Sequence, residues 1–155
     1  MIIKNIIVRT ASVVLLALGL HSSVLAGEHG TAEEATVLVK KAVAYLEANG
    51  KDKAFAEFSN PAGTFRDRDL YIFVIDMNGL ELANGANSKI IGKNVLELKD
   101  ADGNAMVKNL IALANGKGKG WVDYSWPNPM THKVDRKSTY LEKSGDVLVA
   151  SGIYK

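Results

Sequence analysis

The stretch DRDLYIFVIDMNGLELAN, residues 67–84, decides how the rest of the chain can fold. Between Leu70 and Met77 it is almost entirely apolar, β-branched or aromatic, which predicts a strand buried on both faces and is too short to cross a membrane. Asn78 and Gly79 tolerate the positive φ angles of a tight turn, so we expect a central strand that folds back as a hairpin. The faces predicted for the returning strand are Leu80, Leu82 and Asn84 on one side and Glu81 and Ala83 on the other.

An amphipathic helix is predicted before this stretch. Thr31 followed by Glu34 is the pattern of a capping box, in which each side chain accepts the backbone N–H of the other residue. Apolar residues then recur every three or four positions for about five turns, until Gly50 ends the helix. Asp52 is predicted to cap a second, short helix, which the asparagine before Pro61 stops.

The second half of the chain is predicted to contain one helix and three further strands. Asp102 is a candidate cap for the helix, which we expect to end at Gly116 before a glycine-rich turn. The complete prediction is an α+β fold, with a central antiparallel β-sheet of about five strands, a long N-terminal helix and flanking short helices. The three strand candidates are Trp121–Trp126, Lys137–Leu141 and Val147–Tyr154.

The first 26 residues have the parts of a secretory signal peptide. Lys4 and Arg9 precede an apolar segment, and Ala26 is the kind of small residue that signal peptidase needs at its cleavage site. An uncleaved membrane anchor is the alternative, but the apolar run is shorter than the roughly 18 to 20 residues that span a bilayer. We therefore expect a signal peptide over Met1–Ala26, a single mature domain over residues 27–155, and a periplasmic location.

Composition excludes several classes of protein. With 155 residues, 47% of them hydrophobic, the chain can form one packed core. Two of its 19 Lys and Arg residues lie in the predicted signal peptide, which leaves 17 against 17 Asp and Glu, so a nucleic-acid partner is not expected. The absence of cysteine excludes disulfides, a lipidated cysteine anchor and thiol-ligated metal sites.

A group of acidic residues superficially resembles a calcium loop. It begins with Asp100 and Asp102, but Ala105 and Ile111 stand where such a loop needs glycine and glutamate. A helix cap explains these acids better.

Other polar residues also fail to form a catalytic group. His29 is expected in a frayed N-terminal segment and His132 in a turn-rich loop, so neither has an evident partner. Asp67 and Asp69 stand beside arginines and are expected to form a solvated ion-pair cluster. We therefore predict no catalytic residue, no metal site and no cofactor.

Aromatic and polar residues are concentrated in the predicted strands. A cleft lined in this way would have apolar walls and a few oriented donors, as a small-molecule site requires. The alternative is that the rings are simply core, but Lys137 in a strand would have to reach water or meet an anion. The residues concerned are Tyr71, Trp121, Tyr124, Trp126, Asn128, Lys137 and Tyr140.

An ordered series of motifs resembles the single Cache domain, type 2, of bacterial extracytoplasmic sensors. The series is DRDLYIFVIDMNG, ANGAN, GKN, DADG, GWVDYSWPNP, KSTYLE and GIYK, and it covers the chain from about Thr31 to Lys155. The resemblance implies a long N-terminal helix packed on a PAS-like antiparallel sheet. It also implies a pocket on that sheet for small metabolites, often carboxylates.

The resemblance also implies which residues surround the pocket. A cationic Lys137 would attract a carboxylate, and tyrosine hydroxyls would fix its orientation. Many family members carry a histidine where this chain has Asn84, so a proton switch there is replaced by a neutral amide. The predicted ligand-binding residues are Tyr71, Tyr124, Trp126, Asn128, Lys137 and Tyr140.

The expected function is a periplasmic domain that binds a small organic acid or a similar metabolite. Family members usually feed a kinase, methyl-accepting or cyclase module, whereas this sequence ends at Lys155 directly after the domain. We therefore expect a separate membrane sensor kinase, chemoreceptor or transporter as partner, with a homodimer through the N-terminal helix left open. A structural or assembly module with a vestigial pocket and an enzyme are the alternatives, and the volume beside Lys137 discriminates between a sensor and a vestigial module.

Overall fold

A computed structural model of the chain describes residue 27 and residues 29–155, so the predicted signal peptide over Met1–Ala26 lies outside the described residues. None of the helices in the described part is long and apolar enough to cross a membrane. The helices are α1 Ala32–Asn49, α2 Lys51–Phe58 and α3 Met106–Gly116, and the strands are β1 Arg66–Asp67, β2 Leu70–Tyr71, β3 Phe73–Asp76, β4 Glu81–Asn84, β5 Lys119–Pro127, β6 Val134–Ser144 and β7 Val147–Tyr154.

The capping box predicted for α1 is confirmed. The Glu34 backbone N–H donates to Thr31 Oγ1 at 3.2 Å, and the Thr31 N–H donates to Glu34 Oε2 at 2.8 Å. Gly50 ends the helix with a φ of 78°. The two N–H donors at this helix terminus are therefore satisfied by side chains of the same turn.

The two other predicted caps are wrong. Helix α2 begins at Lys51 directly after Gly50, so Asp52 lies within its first turn. Helix α3 begins at Met106 after Ala105, without a side-chain cap, because Asp102 is used elsewhere. Its Oδ2 accepts from Ser125 Oγ at 2.7 Å and from Arg136 at 2.9 Å, which ties the loop before α3 to the sheet.

The five-stranded sheet is antiparallel throughout, with the order β4-β3-β7-β6-β5. The prediction of a central strand over residues 70–77 is wrong, because the run breaks at Ile72 and β3 lies next to the edge. The hairpin after it is confirmed, with Gly79 at a φ of 85°. Strands β5, β6 and β7 form a continuous meander, and the first hairpin joins it through β3, which makes β7 central. An apolar run indicates burial and does not by itself give a strand's position in the sheet.

The sheet has two covered faces. On the face that we call the helix face, α1 and α2 pack residues such as Val39, Leu46 and Phe58 against Val74 and Val149. On the other, which we call the cavity face, α3 packs Met106, Val107 and Leu110 against the sheet. The sheet side of this second cluster is formed by Tyr71, Phe73, Ile75, Tyr124, Leu141, Leu148, Ala150 and Tyr154.

The turn between β1 and β2 anchors the residues that precede α1. Asp69 is fully buried and accepts the Gly30 N–H at 2.7 Å, with His29 Nδ1 at 2.9 Å from its other oxygen. Arg68 donates to the carbonyls of Gly27 and His29 and pairs with Glu34 at 2.8 Å. The expectations of a frayed His29 and a solvated Asp69 are therefore wrong, because these groups hold the start of the helix to the hairpin of β1 and β2, which form a separate two-stranded sheet.

Candidate functional site

A β-bulge in β4 brings two polar side chains to the cavity face. Val74 pairs with Ala83 and Ile75 with Glu81, so Leu82 is left without a partner strand residue. Residues three apart in a regular strand point to opposite faces, but the extra residue turns Glu81 to the same face as Asn84. Asn84 Nδ2 then donates to Glu81 Oε1 at 2.8 Å. The predicted alternation, which separated these two residues, is wrong at this point.

A small cavity lies between the sheet and α3. Its volume is about 30 Å³, and since a water molecule needs roughly 10–15 Å³ by this measure, it can hold one or two groups of that size. The walls are apolar apart from a few polar side chains, which include Glu81 and Asn84. The complete lining is Tyr71, Phe73, Ile75, Glu81, Asn84, Ile90, Val95, Leu98, Met106, Val107, Leu110, Tyr124 and Trp126.

A larger groove lies beside the cavity. This outer groove has a volume of about 430 Å³ and shares four wall residues with the cavity, namely Tyr71, Asn84, Ile90 and Trp126. Its other walls contribute two groups that can carry positive charge and several amides, which suits a polar or anionic ligand. These remaining wall residues are Arg66, Ala86, Asn87, Pro127, Asn128, Pro129 and His132.

Lys137 is buried behind the hydroxyl of Tyr71. Its side chain is 1% exposed, and Nζ donates to Tyr71 Oη at 2.7 Å. Nζ also lies over three aromatic rings, 4.2 Å from the ring centre of Tyr71, 5.0 Å from that of Tyr154 and 5.4 Å from that of Phe73. Burial lowers the pKa of Lys137 to about 7, although the charge of Glu81 opposes this shift. Lys137 is absent from the walls of both the cavity and the groove, and its link to them is the hydrogen bond to Tyr71.

A chain of hydroxyl groups leads from Lys137 to the groove wall. Tyr71 Oη and Tyr154 Oη are 3.3 Å apart, and Tyr154 Oη donates to the Pro127 carbonyl at 2.9 Å. Because a charged lysine only donates, Tyr71 accepts from Lys137 and keeps its own proton for Tyr154 or for a ligand. Burial raises the pKa of Tyr71 well above its usual value, so the hydroxyl remains a donor.

Glu81 is the second buried ionisable group on the cavity face. Its side chain is 2% exposed, and burial raises its pKa to about 7, while the bond from Asn84 and the charge of Lys137 act in the opposite direction. Asn84 Oδ1 meanwhile accepts the N–H groups of Ala86 and Asn87, at 3.0 and 2.8 Å. Asn84 therefore links the carboxyl of Glu81 to the loop that forms one groove wall.

Gly152 makes room for Lys137. A Cβ atom at this position would lie 2.5 Å from Lys137 Cε and 2.5 Å from Thr139 Oγ1, closer than real Cβ contacts allow. Thr139 Oγ1 is also 2.8 Å from the hydroxyl of Tyr124. A glycine in the central strand is thus a condition for the path of the lysine side chain across the sheet.

The structure brings five of the six predicted site residues together. Tyr71 and Trp126 line both spaces, Tyr124 lines the cavity, Asn128 lines the groove, and Lys137 supports Tyr71. The sixth residue lies on the other face of the sheet.

Tyr140 does not join the other predicted residues. It packs in the helix-face core, with its ring centre 5.3 Å from that of Trp121, and its hydroxyl donates to Glu142 at 2.7 Å. It lies three residues from Lys137 in an uninterrupted strand, so the two side chains point to opposite faces. Tyr140 is therefore left out of the candidate site.

Three residues of the site were missed by sequence reasoning. Glu81 reaches the cavity only because of the bulge, which the alternating pattern conceals. Arg66 and His132 were dismissed as an ion-pair residue and a loop residue, although both line the groove. The signal that could have identified Arg66 is its position shortly before Tyr71, with which it pairs across β1 and β2.

A family model and the comparisons with individual proteins point to the same family. The family model described as Single Cache domain 2 matches residues 20–154. The methyl-accepting chemotaxis protein McpP of Pseudomonas putida is 29% identical over 90 residues, which are 57% of this chain and 16% of that protein. The sensor histidine kinase MctS of Rhizobium johnstonii is 32% identical over 89 residues, which are 56% of this chain and 19% of that protein. The match thus spans less than a fifth of either relative.

Solved structures share the fold over most of their length. A methyl-accepting chemotaxis protein from Vibrio parahaemolyticus has a TM-score of 0.68 and 25% identity, over 79% of this chain and 86% of that chain. A structure described as the basis for carboxylic acid recognition by a Cache chemosensory domain has a TM-score of 0.68 and 26% identity, over 79% of this chain and 91% of that chain. The α+β architecture described above is therefore that of Cache chemosensory domains.

Proposed function

Because the chain belongs to the single Cache domain 2 family, we propose that it is a sensory domain outside the cytoplasm that binds a small organic acid in the outer groove and the cavity. A membrane sensor kinase, chemoreceptor or transporter then reads the occupied state. The carboxylic acid recognition stated for the structurally similar Cache chemosensory domain supports this ligand class.

The burial of Lys137 behind the hydroxyl of Tyr71 is the observation that carries this proposal. Among the described residues, no carboxylate forms an ion pair with it. A buried charge without a partner is strongly unfavourable, and a ligand carboxylate at Tyr71 would bring the missing negative charge close to it. The Tyr71 hydroxyl, polarised by Lys137, would donate directly to that carboxylate.

The groove supplies further donors for the same carboxylate. Arg66 lies on its wall and uses Nη1 for the Gly85 carbonyl at 3.2 Å, which leaves other guanidinium donors for a ligand. Asn128 accepts the Met130 N–H through Oδ1, and in the described part of the chain its amide N–H groups have no partner. These groups form a wall of donors around Tyr71, which suits an anion and disfavours a cation.

A module with a vestigial pocket is the second candidate, and the small volume of the cavity favours it. A space of about 30 Å³ does not admit a whole organic acid. On the proposed function, most of the ligand therefore lies in the outer groove and only a small part of it enters the cavity.

A thermal-shift screen with small carboxylates, and with amines of the same size, tests the proposed function. A ligand that binds only the folded state stabilises it by about 2.7 kcal/mol at roughly 100 times its dissociation constant. We expect stabilisation by at least one carboxylate and none by the amines. If no compound raises the unfolding temperature, the vestigial module is the correct interpretation.

Two matched tyrosine variants locate the site. Tyr71→Phe removes the hydroxyl that accepts from Lys137 in a residue lining both spaces, and should abolish the carboxylate effect. Tyr140→Phe removes a hydroxyl on the helix face and should leave it unchanged. Equal effects of the two variants would show that binding does not use the cavity face.

The location outside the cytoplasm has its own test. Cell fractionation followed by N-terminal sequencing should find the protein in the periplasm, with a new N-terminus at or near Gly27. Membrane-bound protein that still begins at Met1 would overturn the proposed export.

A further inference from the structure

The carboxyl group of Glu81 has an unused hydrogen-bonding position inside the site. Oε1 accepts from Asn84 Nδ2, and no other hydrogen bond to this carboxyl occurs within the described part of the chain. An ionised carboxylate offers about four acceptor positions on its two oxygens. A carboxylate that is 2% exposed and holds one hydrogen bond is therefore strongly under-satisfied.

The other polar groups around the cavity are already committed. The hydroxyl of Tyr124 pairs with Thr139, and Asn84 uses its oxygen for two loop N–H groups and its nitrogen for Glu81. The hydroxyl of Tyr71 accepts from Lys137 and lies 3.3 Å from that of Tyr154, and Tyr71 lines both the cavity and the groove, where the proposed carboxylate lies. The free oxygen of Glu81 is thus the acceptor that the cavity offers to a ligand.

We propose that Glu81 makes the site selective for small carboxylic acids that carry a hydrogen-bond donor, a hydroxyl or an ammonium group, next to the carboxylate. This inference rests on the proposed function, which places the carboxylate at Tyr71 and the groove donors. The donor then enters the cavity, whose volume of about 30 Å³ fits one such group, and binds Glu81. An acid without a donor leaves Glu81 unsatisfied, and an acid with only an acceptor places two lone pairs against each other.

Four acids with the same three-carbon skeleton test this selectivity. Propionate has no substituent, pyruvate has an acceptor, and lactate and alanine have donors. Their affinities are measured by titration calorimetry on the purified protein at several pH values from about 6 to 8, which span the pKa of about 7 of both Glu81 and Lys137. We expect lactate or alanine to bind at least about tenfold more tightly than propionate and pyruvate.

The variant Glu81→Gln sharpens the test because it exchanges an acceptor for a donor. The substituted amide can still accept from Asn84 through its oxygen, while its N–H groups now point into the cavity. We expect lactate and alanine to lose about tenfold in affinity and pyruvate to gain relative to propionate. Glu47→Gln, at an exposed position on α1, is the matched control and should change none of the four affinities.

The outcomes separate this inference from the proposed function. If none of the four acids binds the wild-type protein, the inference is overturned, and the proposed function is then decided by the wider carboxylate screen. If all four acids bind with similar affinity, the inference is overturned and the proposed function stands. This result comes from the wild-type protein alone, so it does not depend on the folding of a variant. Circular dichroism first checks that Glu81→Gln is folded. If the wild-type protein prefers the donor-bearing acids and the folded variant keeps the same order of affinities, Glu81 is not the selecting residue and the inference is also overturned.

Discussion

The two faces of the sheet are built by the same strands but bury very different groups. On the helix face, β7 contributes Val147 and Val149 to a cluster of aliphatic and aromatic side chains. On the cavity face, the same strand contributes Tyr154, whose ring centre lies 5.0 Å from Nζ of the buried Lys137, and this face also holds the buried Glu81. Apolar burial stabilises the first face, whereas the second holds ionisable groups that oppose folding. The apolar packing of the helix face therefore offsets the free-energy cost of burying ionisable groups on the cavity face.

The largest expected effect comes from damage to the helix face. Phe58 is 1% exposed, and its ring centre lies 4.7 Å from that of Phe65. Phe58→Ala should lower the free energy of unfolding by about 3–5 kcal/mol, because it leaves a cavity in a close-packed cluster. Chemical denaturation measures this loss. The control Val37→Ala, at an exposed position on α1, should change stability by less than about 0.5 kcal/mol.

On the cavity face, replacement of Glu81 should increase stability in a pH-dependent manner. The folded protein keeps the Glu81 proton up to a pKa of about 7, whereas the unfolded chain loses it near the usual value of 4.5. Wild-type stability from this group is thus present at low pH and lost as pH rises through 7. Glu81→Gln should gain about 2 kcal/mol relative to wild type between roughly pH 5 and pH 8.

Denaturation curves at several pH values measure this difference. Glu47→Gln is again the control and should show no pH-dependent gain. A stability difference between Glu81→Gln and wild type that stays constant with pH would show that Glu81 is ionised at low pH in the folded protein.

A smaller effect is expected at the glycine that admits Lys137. Gly152→Ala places a methyl group against Lys137 Cε and should cost about 1–3 kcal/mol, through overpacking and displacement of the lysine. Carboxylate binding should weaken at the same time. Gly116→Ala adds a methyl group at the end of α3, where no other part of the protein lies within 4 Å, and should leave binding unchanged and raise stability by no more than about 1 kcal/mol. Unchanged stability and binding in Gly152→Ala would show that Lys137 can take another path.

The smallest effect is expected from the α1 cap. Thr31→Ala removes the acceptor for the Glu34 N–H and should lower stability by about 1 kcal/mol. The cap lies away from the cavity face, so carboxylate affinity should not change. Thermal unfolding and calorimetry on the same preparation measure both quantities, and a loss of affinity would show that the two faces are coupled.

Local signals made the elements of the fold predictable. The capping box at Thr31 and the turn at Gly79 each depend on neighbouring residues, and both are confirmed. Strand β7 has the predicted bounds, because Val147–Tyr154 is a long apolar run after a clear turn. The order of the strands was not predictable in this way, since it depends on which strands meet across the sheet.

The candidate site was predictable only where strands are regular. The separation of Tyr140 from the other candidate residues was predictable, because strand alternation places it on the face opposite Lys137. The face on which Glu81 lies could not be predicted by the same rule, because the bulge at Leu82 changes the alternation. The residues around the bulge have no distinctive composition that would indicate it. Which of these residues bind a ligand stays a prediction that the proposed variants test.

The short ladder of β1 and β2 has a mechanical consequence. Arg66 and Tyr71 pair across it and line the outer groove, while the turn between them carries Arg68 and Asp69, which grip the segment before α1. Only residues 67–70 separate the two groove residues along the backbone. On the proposed function, a ligand that moves Arg66 and Tyr71 would therefore also move the hairpin that holds the segment before α1.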